Sequence, residues 1–468
     1  MMHGARLARA LKRVGLRAVG ALLIGLPGIT NADPVVPSGT GPLPDLQGNA
    51  KVGATLTAQY TNSYKSVLPP EIAELVAAGQ FVSEVVLRPK RKDLFGAGKG
   101  GTASLVSIDS RGGLQPPPTA VTGSLLADSV GDSQVSDQAK EAYALLWNAA
   151  VQTWKMRSLS VAASLTSFVP SSEEASKVDF QIQRIYPQAL GVSPGTLKPF
   201  FREKISALQP AVLKGLTWLT LRFHGTDEDY MWAASPVTGQ VRQLTGSNRA
   251  DSMYSGAFSP DDLWVWSGKI EMVTPTSVSS QALLVPVVEG VPTSQTQGSC
   301  LTSSYGKGNS IELNFASRRY TEAPGWNPTS TKLVLRNVVK IDLQSRDPFS
   351  VDARQRMYLD AETSLPVYKI VWGLDGKVRK IVIGILGTVA TQEGAMPGWR
   401  GEVIITPPTS GHSVLIVNGL DTCSKLFPGR DIINFDPSTI GEKSDAAKKP
   451  QATPTPVVNP ESIEPVDE

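Results

Sequence analysis

Residues 356–386 read RMYLDAETSLPVYKIVWGLDGKVRKIVIGIL. Three runs rich in β-branched and aromatic residues (356–359, 366–372 and 377–386) are separated by turn-forming stretches. The second turn carries Leu374-Asp375-Gly376, and Asp-Gly supplies the positive φ that a tight hairpin demands. The stretch therefore predicts an antiparallel meander. Working outward, similar runs predict strands at 216–223, 263–270, 282–288, 310–315, 332–343, 401–405 and 413–417. A further hairpin is expected from 230–234 and 239–244 around Ser235-Pro236-Val237-Thr238. Helices are few. Thr57 caps a short one through Lys65, and Pro69-Pro70 opens another to Ala78, with Gly79 as its stop. Ser136 precedes a stronger helix to about Val151, with Ala139, Tyr143, Leu146, Trp147 and Ala150 on one face at 3.6-residue spacing. Residues 196–208 read as one more helix. The expected fold class is α+β and mainly antiparallel β: one large curved sheet or incomplete β-barrel, with helices covering the concave face.

The ends of the chain carry a different message. Arg6, Arg9, Lys12, Arg13 and Arg17 precede an apolar run, roughly 19–29, that Pro27 interrupts, and then Thr30-Asn31-Ala32. Basic, apolar, then small is the order of a secretory signal peptide cleaved after Ala32. The run is too short to span a bilayer. The expectation is an exported, periplasmic protein. Lys+Arg is 45 and Asp+Glu is 42 in the whole chain; removing five basic residues with the signal leaves 40 against 42. So balanced a chain has no global drive toward nucleic acid. The expected organisation is a signal peptide (1–32), a flexible leader (33–48) and a single large domain (49–438) holding a Gly/Pro-rich loop near 93–120. A disordered Pro-rich tail (439–468) follows. The two cysteines, Cys300 and Cys423, form an even pair in an exported chain, which favours a disulfide between them.

Recognisable catalytic patterns are absent from the sequence. His224 and His412 have no metal-ligand neighbour at helical spacing, and there is no Gly-x-Ser-x-Gly element or Walker spacing. No metal and no cofactor is expected. Two acidic clusters, Asp227-Glu228-Asp229 and Asp261-Asp262, are candidates for carboxylate chemistry, but they stand where predicted strands begin and read first as solvated loop charge. Trp218, Trp232, Trp264, Trp266 and Trp372 all fall in predicted strands. Trp264 and Trp266, two apart, should share a face. These five read either as ordinary core or as the wall of an apolar ligand cavity. Arg242, Arg249 and Asp251 form a charged, turn-rich group. Arg249 has two candidate partners there, Asp251 and the Asp261-Asp262 pair, and an anionic headgroup is the alternative.

Several of these segments, taken in order, resemble a known family. Val52-Gly-Ala-Thr-Leu-Thr57, Asn62-Ser-Tyr-Lys65, Leu68-Pro-Pro-Glu-Ile72 and Gly79-Gln-Phe81 are similar to the opening of an exported bacterial family, domain of unknown function 1329 (DUF1329). More specific are Asp229-Tyr-Met-Trp232, the run from Val241 to Asp251, Ser259-Pro-Asp-Asp-Leu263, Ser267-Gly-Lys269, and Tyr358-Leu-Asp-Ala-Glu-Thr363 followed by 366–372. The resemblance spans roughly 50–405; the insertion near 93–120 and the tail depart from it. It implies the fold of periplasmic lipoprotein-sorting carriers (LolA/LolB-like), an incomplete β-barrel with a helical lid over an apolar cavity. The function it implies is a carrier or chaperone for a lipid, a lipoprotein acyl chain or another hydrophobic molecule. An envelope transporter is the implied partner, with peripheral membrane contact and no nucleic acid. It transfers no catalytic residue. Two other readings compete: a hydrolase working through Asp227, Asp229, Asp261 or Asp262, and a non-catalytic structural or signalling partner in an envelope complex.

Overall fold

The computed structural model describes residues 55–56, 61–78, 83–85, 107–108, 114–115, 137–168, 176–187, 189–191, 199–223, 228–254, 257–305, 311, 331–392, 394–407, 411–425 and 435–440. The expected signal peptide and leader lie outside these residues, as do His224, Asp227, nearly all of 93–120 and residues 441–468. In chain order the elements are β1 (Thr55–Leu56), α1 (Thr61–Tyr64), α2 (Pro70–Ala77), β2 (Ser83–Val85), β3 (Ser107–Ile108), β4 (Leu114–Gln115) and α3 (Asp137–Trp154). Next come β5 (Ser158–Phe168), β6 (Ser176–Ile185), β7 (Phe201–Gln209), β8 (Thr217–Arg222), β9 (Tyr230–Ser235) and β10 (Gln240–Leu244). The last group is β11 (Val273–Val288), β12 (Thr293–Gln297), β13 (Cys300–Ser304), β14 (Thr331–Ser345), β15 (Arg354–Asp360), β16 (Pro366–Trp372), β17 (Val378–Thr391), β18 (Gly394–Thr406) and β19 (Gly411–Cys423).

Two antiparallel meanders make the sheet. One runs from β14 to β19 and the other from β5 to β10, and β19 pairs with β5 to join them. β11 adds to β14 along its length and touches β17 in parallel at Val287↔Leu386. The strands β11, β14, β15, β16 and β17 thereby form a ring of hydrogen-bonded neighbours within an otherwise open sheet. The fold is mainly antiparallel β, a large curved sheet with few helices, as the strand-rich sequence requires. The hairpin turn at Asp375-Gly376 is present, with Gly376 at φ +74°.

Three local expectations fail. The described part of 196–208 does not form a helix; most of it is β7. Its Glu and Lys are good helix formers, but Phe201, Glu203, Ile205 and Ala207 alternate onto one buried face, and tertiary pairing overrides propensity. β5 and β6 were not expected at all. Residues 263–270 are not a strand. They belong to a connection with three short 3-10 turns, Gly246–Ala250, Pro260–Asp262 and Ile270–Met272.

That connection follows from topology. β10 is one edge of the sheet and β11 lies beside the far end of the other meander, so residues 245–272 must cross the sheet. They are held by side chains that the register places on a single face. In the first meander these are Lys369, Lys380, Glu402 and Ser413; in the second, Phe180, Arg184, Glu203 and Thr220. Asp262 takes Lys369 Nζ at 2.6 Å and Lys380 Nζ at 2.7 Å. Ala257 N–H donates to Ser413 Oγ at 2.8 Å, and Phe258 packs on Phe180 with ring centres 5.8 Å apart. β16 is buried at every position because both of its faces are covered, which erases the alternation of a half-exposed strand.

Candidate functional site

The site is an aromatic pocket between α3, the crossing segment and the strands beneath. α3 lays Trp147 on Phe200 with ring centres 5.6 Å apart, nearly parallel. Polar contacts help tie the helix down: Tyr143 Oη donates to the Val273 carbonyl at 3.0 Å, Thr153 and Tyr186 share a hydroxyl contact at 2.6 Å, and Gln152 Nε2 reaches the Thr363 carbonyl at 3.3 Å. From the crossing segment come Trp264 and Trp266, and from β18 comes Trp399, whose ring centre is 5.7 Å from that of Trp264. The cavity between these walls is about 50 Å³, room for a few water molecules and not for an acyl chain.

The floor is charged. Arg184 gives Nε to Glu203 at 2.8 Å, Nη1 to the Tyr186 hydroxyl at 3.3 Å and Nη2 to Ser267 Oγ at 2.9 Å, and Nη2 also pairs with Glu203. Glu203 takes Arg249 as well, at 3.3 Å, and Arg249 reaches Asp261 at 2.7 Å. Arg222 Nε meets Asp229 at 2.5 Å, and Lys269 Nζ lies 3.3 Å from the same carboxylate. Burial alone would raise the Glu203 and Asp229 carboxyls. The surrounding cations outweigh it and hold both below the usual range. Asp262 is likewise opposed by burial and pulled well down by Lys369 and Lys380. These acids are ionised counter-ions, and none has the raised pKa of a general acid. The expectation that the acidic clusters are solvated loop charge fails: Asp229 and Asp262 are buried and paired, since they anchor the crossing segment.

Of the five predicted tryptophans, Trp264 and Trp266 line the pocket, although not as strand neighbours: Trp264 and Val265 both adopt positive φ, +61° and +66°. The other three lie elsewhere. Trp218 meets Tyr254 edge-on at 5.2 Å, Trp232 packs with a small cluster around Leu219 and Phe435, and Trp372 sits under the Arg354 and Arg356 guanidiniums. Arg249 is 1 % exposed and Asp251 is not its partner; Asp251 accepts instead from Asn248 Nδ2 at 2.6 Å. Arg242 is exposed on β10. Cys300 and Cys423 face each other across β13 and β19 and are bonded, S–S 2.08 Å. Sequence reasoning missed Arg184, Glu203, Arg222, Trp399 and Glu402. The available signal was a charged residue in phase with apolar ones, as in Phe180-x-Ile182-x-Arg184. Among the described residues no group of three or more His, Cys, Asp and Glu side chains gathers as a metal site, and no helix is long and apolar enough to cross a membrane.

The sequence matches no family model and no curated protein. Among solved structures, the chain is similar to an outer-membrane lipoprotein-sorting protein domain from Vibrio parahaemolyticus (11 % identity, TM-score 0.42, 64 % of this chain and 98 % of that one). It is similar also to a DUF1329 family protein from Desulfovibrio piger (13 %, TM-score 0.42, 65 % and 100 %). A third is a LolA superfamily protein from Nitrosomonas europaea (10 %, TM-score 0.35, 63 % and 97 %).

Proposed function

We propose that this protein is a periplasmic carrier or chaperone that accepts a hydrophobic molecule, such as a lipid or acyl chain, in the aromatic pocket beneath α3. The observation that carries the reading is the pocket itself: indole and phenyl faces from three separate parts of the chain converge there under one helix. Packing of this kind is specific enough to hold a shape and apolar enough to accept cargo, at about 0.8 kcal/mol for each buried CH₂. Because the cavity is small as it stands, cargo comes in by displacement of α3, which then acts as the lid. The pairing of Glu203, Asp229 and Asp262 with cations favours binding over hydrolysis by these acids. An envelope transporter is the natural donor or acceptor for such cargo.

Native mass spectrometry of protein purified from periplasmic extract without detergent tests this. The expected result is an added mass that organic solvent removes and that proves to be a lipid. Ala150 lines the pocket from α3, so Ala150→Trp fills it; this variant should fold and lose uptake of a fluorescent fatty acid by roughly tenfold or more. A clean mass together with no uptake by the unaltered protein sinks the carrier reading and favours a structural partner with a filled core.

A further inference from the structure

We infer that the pocket grips its cargo by an anionic head, a carboxylate or phosphate set against the Nη groups of Arg222 and the indole N–H of Trp264. The inference rests on the carrier reading and narrows the cargo to anionic amphiphiles.

The donors and acceptors of the pocket point this way. Arg184 uses all three guanidinium nitrogens on protein acceptors. The Thr153 and Tyr186 hydroxyls satisfy each other, and Ser267 Oγ accepts from Arg184. Glu271 is the carboxylate among the described lining residues, and it has a partner of its own. Arg222 differs. It is 6 % exposed and its Nε is on Asp229, but Nη2 stands 3.8 Å from Asp261, beyond hydrogen-bond reach, and neither Nη atom makes a hydrogen bond to a described residue. Trp264, 8 % exposed, has no acceptor for Nε1. A buried indole N–H is costly until an acceptor arrives, and a guanidinium fork prefers a charged oxygen. The Phe201 ring lies beneath the Arg222 guanidinium, with the guanidinium carbon 5.4 Å from the ring centre. Both residues line this one pocket, and an anion is the acceptor that suits both. An alcohol accepts from the same donors but brings no charge, and a cationic amphiphile meets two guanidiniums.

Calorimetry with the purified protein decides it, using decanoate, decyl phosphate, decanol and decyltrimethylammonium as probes. Decanoate or decyl phosphate should bind at least roughly tenfold more tightly than decanol, with the ammonium weakest; the stronger of the two anions separates fatty acids from phosphorylated lipids as the source. Trp264→Phe keeps the ring and removes the donor, so it should weaken the anions by about three- to tenfold and decanol by clearly less. Arg222→Lys should do the same while still pairing with Asp229. Equal binding of decanoate and decanol would overturn the anionic head and leave the carrier reading standing. If no probe binds, both readings fall.

Discussion

Glu402 shows most clearly how a single residue answers to its surroundings. Its Oε1 accepts the Val265 N–H at 2.8 Å, while Oε2 has no partner. Burial pushes its carboxyl up to about 8, against the pull of the Val265 N–H and Lys369 and with a smaller upward push from Asp262. The unfolded chain loses this proton near the ordinary glutamate value of 4.5, whereas the folded chain keeps it until about 8. Between those values the folded state binds more protons, so its stability falls as pH rises and levels off above 8. Glu402→Gln should therefore melt several degrees higher than the native protein at pH 8 and within a degree or two of it at pH 5. Identical pH slopes for the two proteins would mean that the folded chain holds Glu402 ionised. Little in the amino-acid pattern warns of such residues. Trp264 and Trp266 were visible because large aromatics are always candidates for a cavity wall. Arg184, Glu203, Arg222 and Glu402 look like the solvent-facing charges of amphipathic strands, and only cross-strand register reveals that they share the inner face.

At the scale of elements, what was legible depended on how many faces each element buries. The β9–β10 hairpin and the β15–β17 meander were readable because turn residues punctuate them. β7 was not, because its buried face includes Glu203, which breaks the apolar alternation and makes Phe201–Gln209 look helical. Residues 263–266 misled in the opposite way: Leu263, Trp264, Val265 and Trp266 are all buried, yet as a crossing segment enclosed on several sides and not as a pleated strand. The seating of that segment on β17 depends on a missing side chain. A Cβ at Gly384 would lie 2.4 Å from Val265 Cγ2 and 3.3 Å from the Pro366 carbonyl. Gly384→Ala should thus lift the segment and cost roughly 1–3 kcal/mol in urea unfolding. Hydrogen exchange should show the loss of protection concentrated at residues 257–268. Uniform loss across the sheet would mean that the segment does not rest on this contact.

For the whole molecule, the Cys300–Cys423 bond closes a loop of 123 residues that contains β14 to β19. Reduction should lower stability by about 2–5 kcal/mol, read as a shift in the urea midpoint, and a Cys300→Ser, Cys423→Ser double variant should reproduce it. An unchanged midpoint would place the bond's role outside stability. The crossing segment sets a different limit, one of reach. A chain of about 28 residues extends at most about 3.3–3.6 Å for each one. Here residues 245–272 are further shortened by their anchors on both meanders. They act as a drawstring tied between the two rims of the sheet: the rims can part no further than the slack in the string allows. On the carrier reading proposed above, cargo that needs more room than the present cavity gains it on the helical side, by movement of α3 and not by parting of the sheet.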